Sequence, residues 1–262
     1  MEEFNMNITF KSVAKRFFLA AILMTLACVF VTGFDYYNDN LKDKKSEKTS
    51  DNKETETGDS DIDKPDSNYD DMSSFSICLD AACGGSDYGD TDSSGSRYEK
   101  DDNLNLTNKV SSILKDEMKF NVYTTRTDDS DVSDSERVTT ANDNNCDAII
   151  SICRAAYTDA NHAQGFESFI YTGEPSNSKA LSDSIITKLN ATDTMLSGST
   201  GVGTPASSSQ DFYINSASNM ASVVVVVGYI TNDDDNAAFD NNTDKIARAI
   251  AEGIYEYIKN KE

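Results

Sequence analysis

The chain has 262 residues, of which 45 are acidic and 23 basic, for a formal charge of -22. That balance excludes a nucleic-acid or anionic-membrane binding surface, which needs clustered Lys and Arg. The single histidine, His162, excludes any site needing two, and a hydrophobic content of 38% is low for one packed domain of this length.

The charge separates three segments: +1 over residues 1–34, -7 over 35–73 and -16 over 74–262. Residues 1–16 are read as a cytoplasmic N-terminus. Residues 17–34 (FFLAAILMTLACVFVTGF) are uncharged and just long enough to cross a bilayer. Lys11, Lys15 and Arg16 precede this run and Asp35 follows it, so the positive-inside rule puts everything after it outside the cytoplasm. A basic start and an apolar run also fit a cleaved signal peptide, but no small-x-small cleavage site followed by polar sequence is present, which favours a single-pass anchor. Lipid attachment at Cys28 is a third reading, opposed by the apolar VFVTGF behind it. Residues 35–73 contain almost no aliphatic side chains and read as an acidic, disordered tether.

From Ser74 onward apolar runs alternate with polar stretches. FSICLD (75–80) predicts a strand. Leu104, Leu106, Val110, Ile113, Leu114 and Met118 recur at helical spacing. FNVYTT (120–125) predicts a strand, 134–145 a polar helix, and DAIISIC (147–153) a strand at the centre of a covered sheet. ESFIYT (167–172) follows as a strand. Ala180, Leu181, Ile185, Ile186 and Leu189 make a helix face, and 197–209 reads as a Ser/Gly-rich loop. DFYIN (211–215) is read as a short strand, SVVVVVGYI (222–230) as the strongest one, Asp233–Asp235 as loop, and Ile246 to Ile254 as the last helix. The alternation predicts one α/β domain over residues 74–262. Chemistry is expected at strand ends: Asp80 to Gly85, Cys153-Arg154, and Gly228, an interior glycine that implies close approach by another group.

Seven motifs in this segment resemble, in order and spacing, those of the zinc-dependent N-acetylmuramoyl-L-alanine amidases of bacterial cell-wall turnover. They are Asp80-Ala81-Ala82-Cys83-Gly84-Gly85, Glu99-Lys100-Asp101-Asp102-Asn103-Leu104, and Thr125-Arg126-Thr127-Asp128-Asp129. Arg137 with Ala141-Asn142, Ser151-Ile152-Cys153, Gly165-Phe166-Glu167, and the run from Val225 to Asn232 complete the set. The resemblance implies a single mixed, mostly parallel β-sheet with helices on both faces. It also implies zinc held by two histidines and a glutamate, a glutamate base in the last strand, and peptidoglycan as substrate.

The departures fall on the functional positions. Cys83 and Cys153 occupy the two histidine slots, Glu99 keeps the glutamate slot, and Val226 occupies that of the base. Cys83, Glu99 and Cys153 could hold zinc, since thiolate and carboxylate are both competent ligands. The two cysteines could instead form a disulfide or stand as free thiols. Cys78 and Cys146 read as core or free thiols, and His162 as an exposed loop residue.

Valine neither accepts nor donates a proton, and residues 223–230 of the last strand contain no acid. General acid–base catalysis contributes roughly 10²–10⁴-fold, so its loss implies a catalytically impaired, amidase-like domain. That domain is expected to bind peptidoglycan or a cell-envelope protein outside the membrane. The alternative is an active zinc amidase, cutting between N-acetylmuramic acid and L-alanine with a displaced base. The charge of -16 on the domain opposes tight binding to anionic wall polymers unless cations mediate.

Overall fold

The structure, a computed structural model, describes residues 69–159 and 161–261. The expected N-terminus (1–16), apolar segment (17–34) and most of the expected tether lie outside the described residues. No helix among the described residues is long and apolar enough to cross a membrane.

The elements are β1 (Ser76–Ala81), α1 (Glu99–Ser112), β2 (Asn121–Thr124), α2 (Asp134–Asp143), β3 (Ala148–Ala155), β4 (Phe166–Ile170), α3 (Ser176–Asn190), β5 (Thr200–Val202), α4 (Tyr213–Ala217), β6 (Ala221–Tyr229) and α5 (Asp233–Lys259). One sheet of six strands runs β2-β1-β3-β6-β4-β5. β2, β1, β3 and β6 are parallel, and β4 runs antiparallel to β6. The mixed, mostly parallel sheet expected from the sequence is the one observed.

Period-two patterning divides the two faces. Val223, Val225 and Val227 of β6 join Leu106, Leu181, Ile250 and Ile254 in the main core under α1, α3 and α5. Val224 and Val226 point the other way, to a smaller cluster with Val138 of α2 and Ile214 of α4. All nine residues of β6 are buried, as a strand covered on both faces must be.

Three sequence expectations change. DFYIN is no strand: Tyr213–Ala217 is a single turn of helix, and five alternating residues cannot settle the period. The 197–209 loop contains the edge strand β5. Asp233–Asp235 is not loop but the first turn of α5, capped by the Asn232 side chain, where acidic groups favour the positive end of the helix dipole.

Residues 69–73, read with the tether, are bound to the domain. Tyr69 donates to Glu252 at 3.0 Å, Lys259 pairs with Asp70 at 2.7 Å, and Met72 is buried.

Candidate functional site

The carboxyl ends of β1, β3 and β6 open into a cavity of about 730 Å³, lined among others by Cys83, Glu99, Cys153, Phe212, Tyr213 and Val226. Thr204 and Pro205, just beyond β5, form part of its rim.

Its frame is a buried polar network at the end of β1. Asp80 is 1% exposed. It accepts from Thr125 Oγ1 at 2.6 Å, Arg137 Nη1 at 2.5 Å and Ser151 Oγ at 2.6 Å. Arg137 also donates to the carbonyls of Ala81 and Cys83, and Arg126 to those of Ala81, Ala82 and Lys100. Two buried guanidiniums thus grip the loop after β1 through its carbonyl oxygens. α2 delivers Arg137, and its first turn is fixed by a capping box between Ser133 and Glu136.

The loop itself is tightly folded. Cys83 has φ 61°, a left-handed conformation uncommon outside glycine. Gly89 has φ +63°, and a Cβ there would lie 2.6 Å from Glu99 Oε2 and 2.8 Å from Cys83 Sγ. Glycine at 89 is what lets the loop close over both groups.

The structure brings Cys83, Glu99 and Cys153 to one cavity, as the family resemblance implied. Burial pushes the Cys83 thiol up, the Glu99 and Asp87 charges add to this, and Arg137 and Arg126 partly offset it. Burial pushes Cys153 well above the ordinary thiol value, with Glu99 and Cys83 adding. Glu99 is raised by burial too. Its carboxylate is already satisfied by protein donors: Oε2 by the Asp90 N–H at 2.9 Å, Oε1 by the Arg154 N–H at 3.1 Å and Asn103 Nδ2 at 3.2 Å.

Cys83, Glu99 and Cys153, where the resemblance places the zinc ligands, all line the cavity. Among the described residues no three His, Cys, Asp or Glu side chains form a group that could hold a metal ion. The Glu99 carboxylate accepts three protein hydrogen bonds in this arrangement. The expected alternative of a Cys83–Cys153 disulfide is not formed either, since Cys78, Cys83, Cys146 and Cys153 are all free. His162 is exposed, stacked on Tyr157 at 5.0 Å between ring centroids.

Val226 is 1% exposed and sits beside Cys153 in the β3–β6 register. The antiparallel β4–β6 register places Glu167 directly opposite Val226. Opposed residues of an antiparallel pair project to one face, with Cβ atoms about 4.5–5.5 Å apart. Glu167 Oε2 accepts from the Tyr229 hydroxyl at 2.7 Å. Glu167 belongs to the Gly165-Phe166-Glu167 motif, but its place beside Val226 is set by the tertiary pairing of β4 with β6, which the local sequence does not show. Gly228 does admit a close neighbour. Asp235 Oδ2 accepts the Tyr229 and Gly165 N–H groups, each at 2.8 Å, and would stand 2.9 Å from a Cβ at 228.

The family model for N-acetylmuramoyl-L-alanine amidase matches residues 77–256, which is most of the chain. The chain belongs to the N-acetylmuramoyl-L-alanine amidase family. It is 32% identical over 184 residues to the uncharacterised protein YqiI of Bacillus subtilis (strain 168), covering 69% of this chain and 84% of YqiI. An N-acetylmuramoyl-L-alanine amidase from Clostridium difficile 630 superposes with a TM-score of 0.66 at 25% identity, over 72% of this chain and 98% of that one. The CwlD amidase from Clostridioides difficile, solved in complex with the GerS lipoprotein, superposes with a TM-score of 0.62 at 25% identity, over 71% and 99%. The amidase-family fold is therefore shared almost end to end with these solved domains.

Proposed function

We propose that this amidase-family domain binds peptidoglycan or a cell-envelope protein without hydrolysing its ligand. The observation that carries the reading is Val226: the strand position from which the family's base would act is an apolar side chain, 1% exposed. Water attack on an amide needs a group to take a proton and return it to the leaving amine. The cleft supplies two thiols whose burial pushes them up and a carboxylate that accepts three protein hydrogen bonds, and no metal-holding group is found among the described residues.

Binding remains well supported. The cavity is large enough for a peptide or sugar fragment, and Phe212 and Tyr213 offer apolar and aromatic surface beside it. A protein ligand is supported by the relative CwlD, which was solved in complex with the lipoprotein GerS. The apolar run 17–34 with its basic flank supports display of the domain outside the cytoplasm by a single-pass anchor.

A second reading, residual hydrolysis by a displaced acid, is favoured by one observation: Glu167 faces Val226 across the β4–β6 pair. Both readings are tested by incubating the full-length protein with purified muropeptides and zinc. Retention of muropeptide with no released stem peptide supports the binding reading. Release that disappears in Glu167→Gln supports the second.

A further inference from the structure

The charges that line the cleft are not balanced. Its two basic residues, Arg137 and Arg154, are 6% and 3% exposed. Each is held in a buried ion pair: Arg137 with Asp80 at 2.5 Å, and Arg154 with Asp102 at 2.7 Å. Asp87, Asp90 and Asp134 line the same cavity, and all three are exposed. Asp87 and Asp90 come from the loop between β1 and α1, and Asp134 from the first turn of α2. Separate segments therefore turn carboxylates to one cavity. Asp87 Oδ1 accepts the Gly89 N–H of its own loop at 3.0 Å. None of the three is in an ion pair among the described residues.

Another part of the lining is aromatic. Phe212 is half-buried and Tyr213 is 48% exposed, both beside the cavity. The face of an aromatic ring attracts an organic cation. An ammonium or guanidinium group entering the cleft would find carboxylate and ring partners together. An anionic ligand would meet three carboxylates that no basic side chain offsets. Among the described residues no three acids or thiols form a group that could hold a metal ion. The spread carboxylates and a cavity of about 730 Å³ suit side chains of a polymer better than a single ion.

Resting on the reading of this cleft as a binding site, we propose that its occupant is a protein segment presenting Lys or Arg side chains. Their charged heads lie against Asp87, Asp90 and Asp134, and their aliphatic stems cover Phe212 and Tyr213. The charge of -16 on residues 74–262 draws such a segment in and repels an anionic wall fragment. Of the two ligand classes that the cleft could take, charge complementarity favours the protein.

The test titrates the full-length protein by calorimetry with three forms of the peptide Ala-Lys-Ala-Lys-Ala. The lysines are free in the first, acetylated in the second and replaced by glutamate in the third. The free-lysine peptide should bind at least about tenfold more tightly than the others, and should weaken as salt rises from about 50 to about 300 mM. The combined variant Asp87→Asn, Asp90→Asn, Asp134→Asn should weaken it by about tenfold at unchanged Tm. A control variant, Asp116→Asn, Glu174→Gln, Asp193→Asn, removes as much charge from exposed positions that do not line the cavity. It should bind as wild type does. Equal weakening in both variants would mean general attraction to an acidic protein and would overturn the proposal. Equal binding of the acetylated or glutamate peptide, or no binding of the lysine peptide, would overturn it too. Muropeptide is assayed alongside. Muropeptide retained while the lysine peptide is not overturns this proposal and leaves the binding reading standing. Stem-peptide release overturns the non-hydrolytic reading and leaves the peptide comparison to decide this one.

Discussion

The two faces of the sheet are built on different principles. Under α1, α3 and α5 the core is aliphatic, with Ile77, Leu79, Ile150, Ile152, Val223, Val225 and Ile254 all at 0% exposure. Under α2 and α4 the cluster is smaller, includes Cys78, Cys146 and Cys153, and adjoins the cavity and the Asp80–Arg137 network. The first face holds the fold by burial, at roughly 25 cal/mol per Å² of apolar surface removed from water. The second holds a shape by charge and hydrogen bonds. If Cys83, Cys153 and Val226 stand in the ligand and base slots that the resemblance implies, the family fold is kept because Cys153 and Val226 lie on the face with the smaller cluster and Cys83 lines the cavity beside it.

The largest effect is expected from Arg137→Ala on the cleft face. It would strand the Asp80 carboxylate, whose side chain is 2% exposed, and release the Cys83 carbonyl. Removing one partner of a buried ion pair costs about 3–5 kcal/mol, so denaturant unfolding should show a large loss although no aliphatic core residue changes. Ile150→Ala attacks the other face and is expected to cost about 2–5 kcal/mol. It should leave ligand binding by the folded fraction unchanged, as calorimetry would show, whereas Arg137→Ala should lower both. A smaller effect is expected from Ser133→Ala, which removes the α2 cap. The expected cost is about 0.5–2 kcal/mol, read as a shift in the denaturation midpoint.

The smallest expected effect is local and pH-dependent. Asp92 accepts from the Ser94 hydroxyl and from the Ser96 and Arg97 N–H groups, and these bonds hold its carboxyl down at about 2. A carboxyl lowered in the fold contributes above its ordinary value of 3.8 and loses that contribution as pH falls toward 2. The Ser96 and Arg97 amide resonances should therefore move together in that window. In Asp92→Asn the transition should be absent.

Much of this was legible in the sequence, and the failures have physical causes. The run Val223–Val227 could only be a covered strand. The order of motifs from Asp80 to Asn232 implies that Cys83, Glu99 and Cys153 converge, and all three line one cavity. Tyr213–Ala217 was misread because a single turn is shorter than the period that identifies it. The start of α5 was misread although its signal, Asn232 followed by three aspartates, was present. The Glu167–Val226 pairing and the capture of Glu99 by Asp90, Asn103 and Arg154 depend on tertiary register and loop closure, which local sequence does not encode.

The central proposal, a cleft that binds without hydrolysing, rests on Cys83, Cys153 and Val226, which stand where the family resemblance places two zinc ligands and the base. Its most direct test is stem-peptide release from muropeptides, measured by liquid chromatography and mass spectrometry with zinc present. Wild type should be compared with Val226→Glu and with the triple variant Cys83→His, Cys153→His, Val226→Glu. The account expects no release by wild type and none by Val226→Glu alone. In that single variant the new carboxylate would face Glu167 across the strands, and no zinc-holding set would exist. Release is expected only once the histidines are restored as well. Multiple-turnover release by the wild-type protein would contradict the account.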